Sequence, residues 1–232
     1  MSAFAGVRHF TFLYEAPTSA PGSVEMENWI TWKRGSGPRF DQVDFRHEFE
    51  FGISDRFQLA VYVPDWNYQS NSEGCSAMFS DIAVEAIYNL SNPVIDPVGL
   101  SIYQEVRAGD NLVEWESRLI AQKNLGRWIF AYNATLEAVW EEENLHEREG
   151  EFIQALGASY EISPSLSVGL EFLHELIFPE WSNDETVSNV FVGPNVSYRR
   201  GSWFVTSTLL AQATDTTDEP DFQWRTIFGV GF

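Results

Sequence analysis

Period-2 alternation of apolar and polar residues runs through almost the whole chain, and helical periodicity is hard to find. In the last segment Phe222, Trp224, Thr226, Phe228, Val230 and Phe232 share one face, while Gln223, Arg225, Ile227, Gly229 and Gly231 share the other. Trp128, Phe130, Tyr132, Ala134, Leu136, Ala138 and Trp140 alternate in the same way with Ile129, Ala131, Asn133, Thr135, Glu137, Val139 and Glu141. A third stretch sets Val43, Phe45, Phe49 and Phe51 against Asp44, Arg46, Glu48 and Glu50. Such runs are about 11–15 residues long, whereas strands of ordinary globular proteins average about 5–6. They predict twelve strands, near 23–33, 40–53, 56–66, 77–90, 97–107, 111–123, 127–141, 150–162, 165–177, 186–199, 202–212 and 221–232.

Connections between these strands alternate in length. Short turns fall at Ser54-Asp55, Asn124-Leu125-Gly126, Ser163-Pro164 and Arg200-Gly201, with a longer Pro-bearing one at 91–96. Polar stretches at 34–39, 65–76, 142–149, 178–185 and 213–220 separate them, with Gly109-Asp110 as a tight exception. Short turns at one end and long loops at the other predict an all-β, antiparallel, up-and-down transmembrane barrel with both termini on the periplasmic side. Residues 23–232 are expected to form it. Phe10, Phe12 and Tyr14 also alternate, but a thirteenth strand would break the parity and 17–22 is a Pro/Gly break. Residues 1–22 are therefore expected to enter the lumen or lie at the periplasmic rim.

A soluble barrel turns its apolar face inward, and a membrane barrel inverts this. Aromatics make up 15% of the 232 residues, yet no apolar run approaches the roughly 20 residues of a transmembrane helix. Trp32, Trp66, Trp115, Trp128, Trp140, Trp181, Trp203 and Trp224 lie mostly near predicted strand ends. Interfacial girdles explain that placement, because an indole is stable where one edge is oily and the other wet. The closing Phe228-x-Val230-x-Phe232 on an amphipathic last strand resembles the C-terminal signature of bacterial outer-membrane barrels, which implies that Phe228, Val230 and Phe232 are read by the outer-membrane assembly machinery. Residues 48–59, Glu-Phe-Glu-Phe-Gly-Ile-Ser-Asp-Arg-Phe-Gln-Leu, resemble a hairpin of several poorly characterised outer-membrane channel families, including those associated with phenol-degradation pathways. Val192-Gly193-Pro194-Asn195-Val196-Ser197-Tyr198 and Arg225-x-x-Phe228-Gly229-x-x-Phe232 are similar to the same group. The resemblance covers roughly an eighth of the chain and implies location and fold. Ser2-Ala3-Phe4-Ala5 carries an Ala-x-Ala pattern, which reads as a mature chain left by signal-peptide removal.

With the aromatic faces toward lipid, the interior carries sixteen acids: Glu25, Glu27, Asp44, Glu48, Glu50, Asp81, Glu85, Glu105, Glu114, Glu116, Glu137, Glu141, Glu151, Glu161, Glu171 and Glu175. Six bases oppose them, Lys33, Arg46, Arg107, Arg118, Arg199 and Arg225. Crowded charges need water or pairing. Either the arginines knit the acids into a closed network, giving a non-conducting structural or interaction barrel, or surplus acids line water and favour cations. The expected function is a porin-like channel for passive passage of small solutes with a mildly cation-favouring lumen. Its expected pore-lining set is Glu48, Glu50, Glu85, Glu105, Glu116, Glu137, Glu171, Arg46, Arg118, Arg199 and Arg225. His47 lies awkwardly on the predicted lipid face between Phe45 and Phe49, which calls for a bulge or an interfacial position.

Other chemistries are poorly supported. The formal charge of −20 repels nucleic-acid phosphates. One cysteine, Cys75, rules out an internal disulfide framework. None of His9, His47, His146 and His174 has a Ser two residues later, so an outer-membrane hydrolase is the weakest alternative and no catalytic residue is expected. Acidic loops around 141–151 and 215–221 suit Ca²⁺ or Mg²⁺ bridging lipopolysaccharide phosphates, but no cage spacing is present, so neither a resident metal nor a cofactor is expected. The expected partners are outer-membrane lipids, lipopolysaccharide, the assembly machinery, and small solutes or cations.

Overall fold

Each alternating stretch becomes a long strand because its two faces meet different surroundings, and each stave of the barrel hydrogen-bonds to the staves on either side. The computed structural model describes residues 6, 8–35, 40–71, 74–79, 81–216 and 219–232. Its strands are β1 (Val24–Gly35), β2 (Phe40–Ser54), β3 (Phe57–Asn71), β4 (Gly74–Phe79), β5 (Asp81–Ser91), β6 (Gly99–Gly109) and β7 (Leu112–Leu125). They continue with β8 (Trp128–Glu141), β9 (Glu147–Ser163), β10 (Leu166–Pro179), β11 (Val187–Arg200), β12 (Trp203–Gln212) and β13 (Phe222–Gly231). All pairings are antiparallel, and β1 pairs with both β2 and β13, so the sheet closes on itself. β4 pairs with the far half of β3 and β5 with its near half. The two act as one stave, and the barrel has twelve.

One expected loop is a strand pair instead. Residues 65–76 read as a polar loop, but β3 runs on to Asn71 and pairs with β4 beyond the body of the barrel. All six residues of β4 are exposed, so alternation there carries no lipid-facing band, and this is why the pattern did not reveal it.

The outward face is apolar around the barrel: Ile30, Val61, Val84, Ile102, Leu119, Leu136, Leu156, Leu170, Val192 and Leu209 are all exposed. A continuous apolar band of this size is foreign to a water-facing surface. Aromatics border it. Trp32 packs edge-on against Phe222, Phe45 stacks on Trp66 at 4.1 Å, and Trp140 meets Trp181 at the long-loop end. Trp128 with Tyr160 and Trp203 with Tyr198 mark the short-turn end. Phe228 and Phe232 are exposed on this outer surface, and Val230 lies beside them, paired with Met26 and Trp203.

His47 is accommodated by a bulge. Between the pairs Phe45↔Trp66 and His47↔Val63, β2 has one residue and β3 has two. Pro64 occupies that bulge, where its missing N–H costs nothing. Asp65 turns its carboxylate back to accept the His47 backbone N–H at 3.0 Å, and His47 Nδ1 lies 2.8 Å from Asn28 Oδ1 on the outer face.

Inward, small residues leave room for the N-terminal segment. A Cβ on Gly157 of β9 would come within 2.5 Å of the Phe10 ring, and one on Gly52 would strike the Ala20 carbonyl. These close approaches seat Phe10 and Ala20 directly against the wall.

Candidate functional site

Gly6 and residues 8–22 form no regular element, so each of their backbone polar groups inside the barrel needs a partner from the wall. Inward Asn, Gln, Ser, Thr and Glu side chains supply them. Asn133 embraces Tyr14, accepting its N–H at 2.7 Å and donating to its carbonyl at 3.0 Å, as a neighbouring strand would. Gln122 accepts from Ala16 N, Asn89 donates to Ala16 O, and Gln58 accepts from Ser19 N. Ser197 and Thr206 both donate to Arg8 O. At the apex Glu171 accepts the N–H groups of Thr11 at 3.0 Å and Phe12 at 2.7 Å, and is itself held by Asn195 and Thr208.

The path of the segment follows from these partners. It rises from the short-turn end, where Gly6 N donates to Glu25, turns at residues 11–13 near mid-barrel, and descends to Gly22, which donates to the Gly52 carbonyl. Phe10 and Leu13 fill one apolar cluster with Ile129, Leu173, Phe191 and Leu210. Tyr14 and Ala16 fill a second with Trp29, Tyr103, Ile120, Phe204 and Ile227. His9 Nδ1 lies 2.8 Å from Glu15. Burial disfavours its imidazolium, but the Glu15 and Glu161 carboxylates together outweigh that and raise its pKa above the ordinary histidine value.

Charged side chains on the wall fall into groups. Arg46 binds Asp65 at 2.9 Å and Glu105 at 3.1 Å, while Arg107 reaches Glu105 at 3.1 Å and Glu114 at 2.9 Å. Arg118 pairs with Glu116 at 2.7 Å, and Lys33 with Asp44 at 3.2 Å. Arg225 makes no ion pair among the described residues. It donates to Thr31 Oγ1 and the Thr11 carbonyl and lies 4.1 Å from the centre of the Phe12 ring. Arg199 caps the Pro164 carbonyl at the short-turn rim. Glu85 receives the hydroxyls of Tyr14 and Tyr62 at 3.1 and 2.8 Å. Glu48, Glu50, Glu85, Glu105, Glu116 and Glu171 are buried, and Glu137 is half-buried.

The ladder register arranges seven of these acids in one row. Glu25 pairs with Glu50, Glu50 with Ala60, Ala60 with Glu85, and Glu85 with Glu105. Glu105 then pairs with Glu116, Glu116 with Glu137, and Glu137 with Glu151. Because barrel strands tilt, a row along the hydrogen-bond direction climbs the wall. This one starts beside the short-turn rim at Glu25, the second residue of β1, and ends near the long loop that precedes β9. Within it Glu50, Glu105 and Glu116 have basic partners, whereas Glu25, Glu85, Glu137 and Glu151 have no ion pair among the described residues.

Cavities lie on both sides of the segment. A short-turn cavity of about 350 Å³ is lined by Glu15, Glu25, Glu27, Glu50 and Glu161 together with Arg8, Arg199 and His9. Cavities of about 270 and 190 Å³ on the long-loop side share Trp29, Lys33, Arg46, Arg107 and Arg225. Between them stands a layer in which the Arg8 guanidinium lies 4.6 Å from the Tyr14 ring centre and 4.4 Å from that of Trp29, and Arg118 lies 4.7 Å from Tyr14 on its own account.

Several of these residues escape a reading by charge and alternation. Arg8 belongs to no strand, and Trp29, Tyr62 and Tyr103 are inward aromatics in a barrel whose aromatics mostly face out. A signal was present: Trp29 shares parity with Glu25 and Glu27, and the inward positions are rich in Asn and Gln, which bind irregular backbone.

The barrel resembles solved outer-membrane channels. The COG4313 outer membrane channel from Pseudomonas putida F1 aligns with a TM-score of 0.70 at 12% identity, covering 94% of this chain and 98% of that one. The NanC porin aligns at 0.60 with 10% identity, covering 89% and 98%. A KdgM porin aligns at 0.51 with 10% identity, covering 90% and 98%. At these identities the likeness shows a shared fold. No curated protein matches the chain significantly. By its match over residues 2–223, the chain belongs to DUF6662, a family of unknown function.

Proposed function

We propose that this chain is a porin-like channel of the bacterial outer membrane that passes small solutes by diffusion and favours cations, with residues 6–22 limiting its aperture. The observation that carries this reading is the row of seven carboxylates from Glu25 to Glu151, which runs from one mouth toward the other. Lumen carboxylates concentrate cations and repel anions where water is confined. The outward apolar band with aromatic borders supports the membrane setting. The fold shared with channels supports transport rather than catalysis.

Charge preference is carried chiefly by the short-turn cavity. Five acids there face two arginines, a formal surplus of three negative charges. The long-loop cavities are closer to balance, with Asp44, Asp65, Asp81, Glu116, Glu137 and Glu175 against Lys33, Arg46, Arg107, Arg118 and Arg225. The double variant Glu25→Gln/Glu50→Gln cuts the short-turn surplus to one. Its cation-to-anion permeability ratio, read from the reversal potential in a salt gradient, should fall roughly twofold or more. An unchanged potential would reject the role of these acids.

A second reading, a non-conducting barrel, draws on the layer of Tyr14, Trp29 and Arg8, in which Tyr14 and Trp29 are buried. The two readings part on whether that layer yields. It is built partly from a segment held by side-chain hydrogen bonds rather than by a strand ladder, and this favours a movable constriction.

A further inference from the structure

On the first two inward-facing rungs of β1 and β2, acids sit directly opposite acids: Glu25 pairs with Glu50 and Glu27 with Glu48. Like charges at such positions repel and destabilise the ladder. Carboxylate oxygens of Glu27, Glu48 and Glu50 all lie within 4.8 Å of one another, and all three residues are buried. Glu85 adds a fourth acid on this side of the lumen, and its Oε1 is also buried and without a hydrogen-bond partner.

Glu48 is the anomaly. It is fully buried, and neither of its carboxylate oxygens has a hydrogen-bond partner among the described residues. A buried carboxylate with no donor is among the costliest groups a fold can hold. The neighbours do not relieve it. Arg8 places Nη1 on Glu27 at 2.9 Å and lies 3.9 Å from Glu50. Its Nε and Nη2 face no acceptor. Even turned fully toward Glu48, one guanidinium neutralises one of three carboxylates. Glu27 is further occupied by the Trp29 indole N–H, and Glu50 by the Ser19 hydroxyl.

We propose that Glu27, Glu48 and Glu50 hold a hard divalent cation of the calcium class, with Glu48 as its principal ligand. Acceptor-only oxygens converging from two strands are what such ions take, and calcium tolerates irregular oxygen sets. The short-turn cavity is lined by both Glu27 and Glu50, so an ion has a way in from that end. Glu27 also grips Arg8, and Glu50 also grips Ser19. A bound ion therefore stiffens both limbs of the N-terminal segment from one point. The proposal concerns binding and stands apart from conduction.

The test is equilibrium dialysis of radioactive calcium against the full-length protein in detergent, after stripping with a chelator, for wild type and Glu48→Gln. Acidic outer loops contribute a weak background to both. The proposal predicts one tight ion per chain in wild type and its loss in Glu48→Gln, which should also raise the melting temperature in chelator and abolish the calcium-dependent rise. Equal tight binding by the two proteins would overturn it, as would no tight binding by wild type. A protonated-carboxyl C=O stretch in calcium-loaded wild type that Glu48→Gln removes would also overturn it, since Glu48 would then hold a proton instead. Should Glu48→Gln fail to assemble, Glu50→Gln reads the same stoichiometry. Because no current is measured, failure here leaves the channel reading untouched.

Discussion

Replacing Glu171 by Ala should free the apex of the N-terminal segment and raise the open fraction of the pore at least about tenfold. The reasoning is local. Glu171 is 1% exposed and accepts the backbone N–H groups of Thr11 and Phe12, which have no ladder to fall back on. Each buried N–H left without an acceptor costs about 1–3 kcal/mol. A tenfold shift in an equilibrium needs only about 1.4 kcal/mol. The same change strips Asn195 and Thr208 of an acceptor, but both belong to the wall, whose strands keep their ladders. The barrel should therefore assemble while the segment loosens. Single-channel recording reads the open fraction, and limited proteolysis reads exposure of residues 6–22. Glu171→Gln, which keeps one acceptor oxygen, should fall between Ala and wild type. A Glu171→Ala barrel with unchanged current and a protected segment would show that Glu171 is not what holds the apex.

The second large effect concerns the outer surface. Leu119 lies near the middle of β7, half-exposed, with Ile102 and Ala134 opposite it on the neighbouring strands. In a bilayer, Leu119→Arg places a guanidinium near mid-plane and should cost about 2–4 kcal/mol. On a water-facing surface the same change falls within about 0.5 kcal/mol of neutral. Ile53→Arg, at the short-turn end of β2, is the depth control and should cost about 0–1 kcal/mol. Urea titrations of folding into lipid vesicles measure both. Equal, small effects at the two positions would refute the lipid-facing assignment of this surface.

Which parts of the molecule the chain announces beforehand has a physical explanation. A strand that separates lipid from lumen must alternate, so Phe222 to Phe232 and Trp128 to Trp140 reveal both their conformation and their facing. β4 is exposed on both faces and shows no such contrast. The Pro64 bulge is equally local, and His47 was its only advance notice. In the lumen, parity sorts each residue to a face but says nothing of height. Height is set by strand tilt and register, so the row from Glu25 to Glu151 and the Glu27–Glu48–Glu50 cluster emerge only when the strands are paired. The absence of metal-cage spacing along the sequence has the same origin, since Glu27 and Glu48 are twenty-one positions apart and directly opposite in space. The segment around Arg8 and Tyr14 is harder still, because its backbone partners are side chains scattered over β3, β5, β7, β8, β10, β11 and β12.

The central claim, a cation-favouring pore narrowed by its own N-terminal segment, is tested most directly by current across a planar bilayer under a salt gradient. The comparison is between the full chain and a variant lacking residues 1–22. The predicted result is a small current with a cation-selective reversal potential in the full chain, and a larger current once the segment is removed. Barrels that insert and carry no current in either form would contradict it.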